Sequence, residues 1–511
     1  MLLLTTALAV AGRLGLKTDS SSGGYTVEVD GAPWFTGAST SFTKGGKRLD
    51  SADGSLRMQS SSTSSGSDVD GFYNSTIWSW DGGNFVTEFR LYATQIVFEQ
   101  RFPRGVEGTA VNASDPMATR DTTSSAFPHW SNDGSLRENM GWLQFSGDMT
   151  GSNFQHGNGA FDQLDHLTGV KGFGPACVFS ADGKSSAVFS SHSQFMAASS
   201  GVGAGGKSIM YGAQGSITAF PAGYSLSFVL ALGPTGAGVN AAFEAWGNTL
   251  LAHYGKQRAV TYDDYALRYL AYSTDNGAFY YYQTEDHAPR RGPPYTPGKT
   301  YQQTLIDVKA YATDAGIPYK YILLDSWWYY QGVGSGVANW VGRPDVFPQG
   351  NAFVRNATGW PIMGHNRYWA IDNVYARANG GKYDFVIEKK SESSKFRDFA
   401  WPTEQRFWDD LMYNSTQWGL FQYEQDWLDT ECVAPRESSR GRRAVCPLTL
   451  LSPHPASRLK GTTTSFISTR TRPRRARGLS RWRPRRSGTA SPYSTACRTA
   501  VISCSLLSSL R

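Results

Sequence analysis

The hydrophobic period of this chain changes partway along, and that change limits the folds open to it. From about residue 23 to 235 the apolar residues recur with period two. "YTVEVDG" places Tyr25, Val27 and Val29 on one side, and "FVTEFRLYATQIVFEQRF" is a long run of strand formers. "ACVFSADGKSSAVFS" reads as two strands joined at Asp182-Gly183, a hairpin signal. "SITAFPAGYSLSFVLALG" reads as another strand–turn–strand, with Pro221 and Gly223 at the turn. The Ser-rich "MQSSSTSSGSDVDG" reads as an exposed loop. Many short strands with turn signals between them predict an antiparallel β-sandwich over 23–235.

Beyond that point strands alternate with helices. "VNAAFEAWGNTLLAHYGK" spaces Phe243, Trp246, Leu250, Leu251 and Tyr254 as a helix does, so 236–260 is expected to be a linker helix. "RYLAYSTDNG" is a strand. "YQQTLIDVKAYATDAGI" is a helix with Leu305, Val308 and Ala312 on one face and Gly316 as its stop. "YKYILLDSWWYY", "WPIMGHNRYWA" and "WGLFQYEQDWL" are further strands, and the helix "EQRFWDDLMYNST" precedes the last. This alternation predicts a parallel α/β architecture. A doubly wound sheet would carry a Gly-rich turn after its first strand. "DNGAFYYYQ" has a single glycine, so the favoured reading is an incomplete (β/α)8 barrel over 261–432, behind the sandwich.

The pattern stops near Cys432. From Ala434 to Arg511 there are sixteen Arg, Lys460, the single acid Glu437, no Asp, and only Phe466, Trp482 and Tyr493 as aromatics. The formal net charge of +7 therefore comes from this segment, and the preceding body is mildly acidic. Nucleic-acid binding argued from global charge would rest on residues 433–511 alone. Three readings of 433–511 compete: a basic arm for an acidic partner, a low-complexity terminus, or a translated frameshift or retained intron. The abrupt change of composition in mid-pattern favours the third.

Cysteine chemistry is not indicated. Cys177 stands alone in the body, Cys432, Cys446, Cys497 and Cys504 lie at or after the break, and there is no CxxC pair. Residues 1–22 begin "MLLLTTALAVAG", which resembles the apolar core of a secretory leader but lacks a basic start, and is too short to span a bilayer. With the sequons at Asn74, Asn112, Asn356 and Asn414, a secreted or luminal location is expected, and no membrane partner.

The chemistry-bearing residues cluster where strands end. Asp275, Asp325 followed by Trp327 and Trp328, His365 with Arg367, and Glu424 with Asp426 all fall at predicted strand C-termini. Barrel enzymes place their sites at that face. Carboxylates beside indoles suit sugars: an oxocarbenium-like transition state needs one carboxylate below the ring and an acid on the glycosidic oxygen. Indoles stack on the sugar's apolar face, and Arg367 or His365 would hydrogen-bond ring hydroxyls. Each residue has a plainer reading. Asp325 could be a helix N-cap. Of the adjacent Trp327 and Trp328, only one can face a site along a strand, and the other belongs to the core. Arg367 could simply pair with an acid. Glu424 and Asp426 share a face, with Asp426 nearer the strand's C-terminal end and Asp429 on the other side or in the loop.

Taken together, these motifs resemble the clan of retaining glycosidases that includes α-galactosidase families 27 and 36, the raffinose synthases and, more distantly, family 31. "AWGNTLLAHYGK" after a large sandwich is similar to the family 36 layout. "YKYILLDSWWYY" followed by "DVFPQG" is similar to the clan's second barrel strand, and "GLFQYEQDWL" to its fourth. The resemblance implies that Asp426 is the nucleophile. It implies that Asp275, Asp325, Trp327, Trp328, Arg367 and Glu424 bind substrate. The substrate would be an α-linked glycoside, with neither cofactor nor metal. Two positions depart from the pattern: Ser326 stands where the clan has a second Asp, and Glu424 where it has a Lys. Both normally hold sugar hydroxyls, so galactose specificity is not implied. The clan's acid/base comes from a later strand, and 433–511 offers no counterpart, so a weakly active or inactive chain is expected. A non-catalytic carbohydrate-binding protein is the main alternative. A β-sandwich interaction protein with a basic tail is a third.

Overall fold

The structure, a computed structural model, describes residues 5–8, 13–114, 119, 122–131, 140–146, 153–158, 174–195, 197–203, 208–258, 264–274, 280, 299–389 and 398–426. Up to residue 232 the strands pair antiparallel, and the largest sheet has nine of them. These are β1 (Met58–Asp68), β2 (Gly71–Trp80), β3 (Phe85–Leu91), β4 (Gln95–Phe102), β5 (Met140–Ser146), β6 (Asn153–Asn158), β7 (Ala176–Ser180), β8 (Ser186–Ser191) and β9 (Tyr224–Leu232). Their order across the sheet is β6-β5-β7-β8-β9-β4-β3-β2-β1.

Alternation along the central strands sorts two apolar faces. Ile96 and Phe98 of β4 and Phe228 and Leu230 of β9 pack with Tyr25, Val27, Trp78 and Trp130 in one large core, which the shorter sheets cover. The intervening Val97 and Val229 face the other way, onto Leu250. Leu250 belongs to α1 (Gly238–His253), the expected linker helix. Here α1 is docked on the sheet, with Ala242 against Cys177 and Val188 and the Trp246 indole N–H donating to Ser190 Oγ at 2.8 Å. The hairpin at Asp182-Gly183 joins β7 and β8, and Gly183 takes the φ of +67° that the tight turn needs.

Two expectations are corrected. The Ser-rich segment is exposed, but it is strand β1 and not a loop, laddered to β2 from Ser61↔Trp78 to Asp68↔Gly71. An edge strand is held by the backbone bonds of one neighbour, so its side chains need no core, and polar residues there discourage further pairing. The strand before Pro221, Ala219–Phe220, pairs with Val106–Glu107 and not with β9, although the turn is present, with the Tyr224 N–H donating to the Pro221 carbonyl.

From residue 270 the pairing becomes parallel. β10 (Leu270–Ser273), β11 (Tyr319–Leu324), β12 (Ile362–Asn366) and β13 (Leu420–Gln425) lie side by side in chain order. The connections carry α2 (Tyr301–Asp314), α3 (Gly350–Thr358) and α4 (Gln405–Gln417). α2 is capped by the Thr300 hydroxyl, which accepts from the Gln303 N–H, and it ends at Gly316, φ +68°. Ile322, Leu324, Ile362 and Tyr423 face this helical layer, against Leu305, Val354, Phe407 and Trp408. Tyr321, Leu323 and Met363 face the other side, with Phe421. A doubly wound sheet reverses its strand order at a switch point; these four strands run without reversal. Among the described residues no helix is long and apolar enough to cross a membrane.

Candidate active site

The strand period decides which side chains meet. Asp325 follows Leu324, so it shares the face of Tyr321 and Leu323, away from the helices. By the same parity His365 follows Met363. On β13 the pairing shifts by one residue near Phe421, so that Met363 stands beside Gln422, His365 beside Glu424 and Asn366 beside Gln425. Glu424 and Asp426 therefore join His365 and Asp325 on the face turned from the helices.

His365 is the centre of this group. It is buried, its Nε2 lies 3.2 Å from Asp426 Oδ2, and its Nδ1 lies 3.2 Å from the Tyr329 hydroxyl. The Tyr329 ring runs parallel to the imidazole, 3° between planes. The Trp340 indole N–H donates to the His365 carbonyl at 2.8 Å, and the Asp426 N–H donates to the Asn366 carbonyl at 2.8 Å. Burial opposes a charge on His365. Asp325, the Asp426 hydrogen bond and Glu424 outweigh that burial and hold its pKa above the ordinary value. Burial pushes the Tyr329 phenol well up, with Asp325 adding and the Arg367 guanidinium opposing.

Asp325 is buried and held by its neighbours. Its N–H donates to Thr274 Oγ1 at 3.1 Å, and its carboxylate accepts from the Ser326 N–H. Thr274 Oγ1 also accepts from the Trp327 indole at 3.0 Å and donates to the Leu323 carbonyl at 2.8 Å. No helix begins at Asp325, so it is not an N-cap. Arg367 is half-buried just past β12, and Glu424 is half-buried within β13.

Both tryptophans are core. Trp327 stacks on Tyr280 at 4.8 Å between centroids and meets Phe347 edge-on. Trp328 packs against Trp340 and Trp418 and donates to the Leu324 carbonyl. Each is at most 1% exposed, so neither presents an open face to a sugar. The strand rule that allowed one of them to face a site fails because β11 ends at Leu324 and both lie in the turn beyond it. Asp275, Asp429 and everything from Cys432 onward lie outside the described residues. Tyr329 and Thr274 were not singled out from sequence. Tyr329 is hidden in an aromatic run, whereas Thr274 does stand at a strand end, the signal that marked its neighbours.

No protein-family model matches the chain, and no curated protein matches it. Solved structures do. An α-galactosidase from Lactobacillus brevis is similar at 11% identity and TM-score 0.47, over 82% of this chain and 63% of its own. An α-N-acetylgalactosaminidase from Bifidobacterium bifidum is similar at 12% identity and TM-score 0.48, over 87% and 73%. A glycoside hydrolase family 97 enzyme from Pseudoalteromonas sp. strain K8 follows at 9% and 0.47, over 83% and 59%. These neighbours are glycoside hydrolases, the class that the sequence motifs resemble. This chain spans about three-fifths of the length of the first and third. Likeness at this level assigns neither substrate nor catalytic residue to this chain.

Proposed function

We propose that this chain carries the nucleophile side of a retaining glycosidase site for α-linked glycosides. It would be built on the N-terminal half of a (β/α)8 barrel at 261–432, behind a β-sandwich at 23–235, on a secreted or luminal protein. The observation that carries the reading is the buried His365 gripping the part-exposed Asp426 carboxylate beside Asp325, all at the C-terminal ends of adjacent parallel strands. A positioned carboxylate is what attack on an anomeric carbon requires, and hydrogen bonds that fix its orientation raise the fraction of productive encounters. Asp426 would form the glycosyl–enzyme bond as the leaving group departs. Asp325 and Glu424 would hold ring hydroxyls.

Protonation of the leaving group needs a second carboxylate about 5 Å from the first. No described residue is assigned that role, so slow turnover of natural glycosides is expected. A 2-deoxy-2-fluoroglycosyl fluoride circumvents this need, because fluoride leaves without a general acid and the fluorosugar intermediate hydrolyses slowly. A panel of such α-fluorides should add one sugar mass to the chain, mapped to Asp426 by peptide mass spectrometry and absent in Asp426→Asn. Sugar binding by calorimetry without any adduct would leave a non-catalytic carbohydrate-binding protein. Labelling that persists in Asp426→Asn would overturn the nucleophile assignment.

A further inference from the structure

A second cluster of chemistry-bearing side chains lies far from this site along the chain. Asp70 sits in the turn between β1 and β2, His192 directly follows β8, and His253 is the last residue of α1. Three separate elements thus bring a carboxylate and two imidazoles together, with one ligand atom from each lying within 4.8 Å of the others. Asp70 Oδ2 is 2.8 Å from His253 Nδ1 and 3.8 Å from His192 Nε2, and the two imidazole centroids are 3.9 Å apart.

Hydrogen bonds within the protein leave this cluster incomplete. His192 is 2% exposed, and its Nδ1 lies 3.2 Å from Ser227 Oγ. That contact turns Nε2 toward Asp70, where Nε2 is buried without a hydrogen-bond partner. Asp70 Oδ1 is buried without one as well. Buried polar atoms are ordinarily satisfied, so two unpartnered ones within a single carboxylate–imidazole cluster point to a further occupant.

From this geometry we infer that Asp70, His192 and His253 form a divalent-cation site, with zinc as its best-fitting ion. Two imidazoles and one carboxylate are ordinary zinc ligands, with water completing a tetrahedron. Metal bonds of about 2.0–2.1 Å hold neighbouring ligand atoms roughly 3.3 Å apart. The 2.8 and 3.8 Å separations straddle that figure, so side-chain shifts of a few tenths of an ångström bring Asp70 into place with each imidazole. Ser227 supplies the outer hydrogen bond that fixes the tautomer of a ligating histidine. Burial first, and then the neighbouring His253, lowers the His192 pKa to about 3. Arg90 also acts on His192, but its guanidinium is held by Glu88 and Glu99. The carbonyl end of α1 adds a further field favourable to a cation.

A metal here would tie three elements together. The β1–β2 turn, the end of β8 and the C-terminus of α1 would share one ion, just before the chain enters the parallel sheet. The ion's role is structural: it fixes the helix on the outer face of the nine-stranded sheet.

The test uses the full chain, with its thiols alkylated so that cysteine does not compete, stripped by chelation and titrated with zinc. One equivalent should bind by calorimetry and raise the melting temperature in a zinc-dependent way. Cobalt should give the visible bands of a tetrahedral site. His253→Gln, at a half-buried position that tolerates the change, and Asp70→Asn should each weaken binding by about tenfold or more and remove the cobalt bands. The inference is overturned if the unmodified site binds neither ion, a result that needs no variant to fold. It is equally overturned if stoichiometry, affinity and spectrum are unchanged in both variants.

Discussion

His365 and Asp426 meet across adjacent parallel strands, Nε2 to Oδ2 at 3.2 Å, although the histidine is fully buried and the aspartate side chain is 45% exposed. The contact couples a rigid interior group to a carboxylate that solvent can reach. It also bears on the charge of the buried histidine: burial opposes it, and Asp325, Asp426 and Glu424 together outweigh burial and raise the His365 pKa.

That balance fixes a pH dependence. A histidine whose folded-state pKa is raised stabilises the fold fully below its unfolded pKa, about 6.5, and the contribution disappears as pH rises through the folded value. Urea unfolding of the native chain and of His365→Gln should therefore differ more at pH 5.5 than at pH 9. The sign of that change is the test, because burial and the three carboxylates act on the histidine in opposite directions. A difference constant across that range would mean that folding leaves the histidine pKa unchanged, and a smaller difference at pH 5.5 would mean that folding lowers it.

Tyr329 holds the other ring nitrogen of the same imidazole, its hydroxyl 3.2 Å from Nδ1. Tyr329→Phe keeps the ring packing and removes only the hydroxyl near Nδ1. Stability should fall by about 0.5–1.5 kcal/mol. If Asp426 is labelled as proposed, the rate of capture should fall too, because the histidine that orients the carboxylate is freer to turn. Calorimetric unfolding and the time course of adduct mass would be read on the same sample.

The site was legible in the sequence where strand period and polarity agree. Asp325, His365, Glu424 and Asp426 could be placed because each ends or nearly ends an apolar run, and the parallel order of β10 to β13 follows from the alternation with helices. Trp327 and Trp328 misled for a physical reason: an indole is both an apolar core residue and a sugar platform, and only packing separates the two. The Ser-rich β1 was missed because composition reports side chains, whereas an edge strand is held by its backbone. Tyr329 was missed because three of its neighbours are equally aromatic. The cluster of Asp70, His192 and His253 has no sequence spacing at all, since only the docking of α1 assembles it.

Trp327 offers a test of that distinction. A platform residue can be removed at the cost of binding alone, whereas a core residue cannot. Trp327 fills a pocket between Tyr280, Tyr301 and Phe347. Trp327→Ala should cost about 3–5 kcal/mol by the cavity it leaves, and Trp327→Phe substantially less. Soluble, fully stable Trp327→Ala protein with weakened sugar binding would restore the platform reading.

The edge strand β1 makes the last prediction. An exposed loop of eleven Ser-rich residues would exchange its amide protons within seconds. A laddered strand protects those that bond to its neighbour. In the antiparallel register Ser61↔Trp78 through Asp68↔Gly71, alternate residues of β1 point their N–H groups at β2, and the rest point to solvent. Hydrogen exchange resolved by residue should therefore show an alternating pattern across Met58–Asp68, with every second amide slowed. It should be weakest near the β1–β2 turn, where Phe72 and Val69 are exposed and little packs against them. Of Thr63→Pro and Ser64→Pro, two adjacent positions near the middle, one should abolish the pattern and the other should not, because only one of those N–H groups enters the ladder. Uniform fast exchange through 58–68 would return the segment to a loop and expose β2 as the true edge of the sheet.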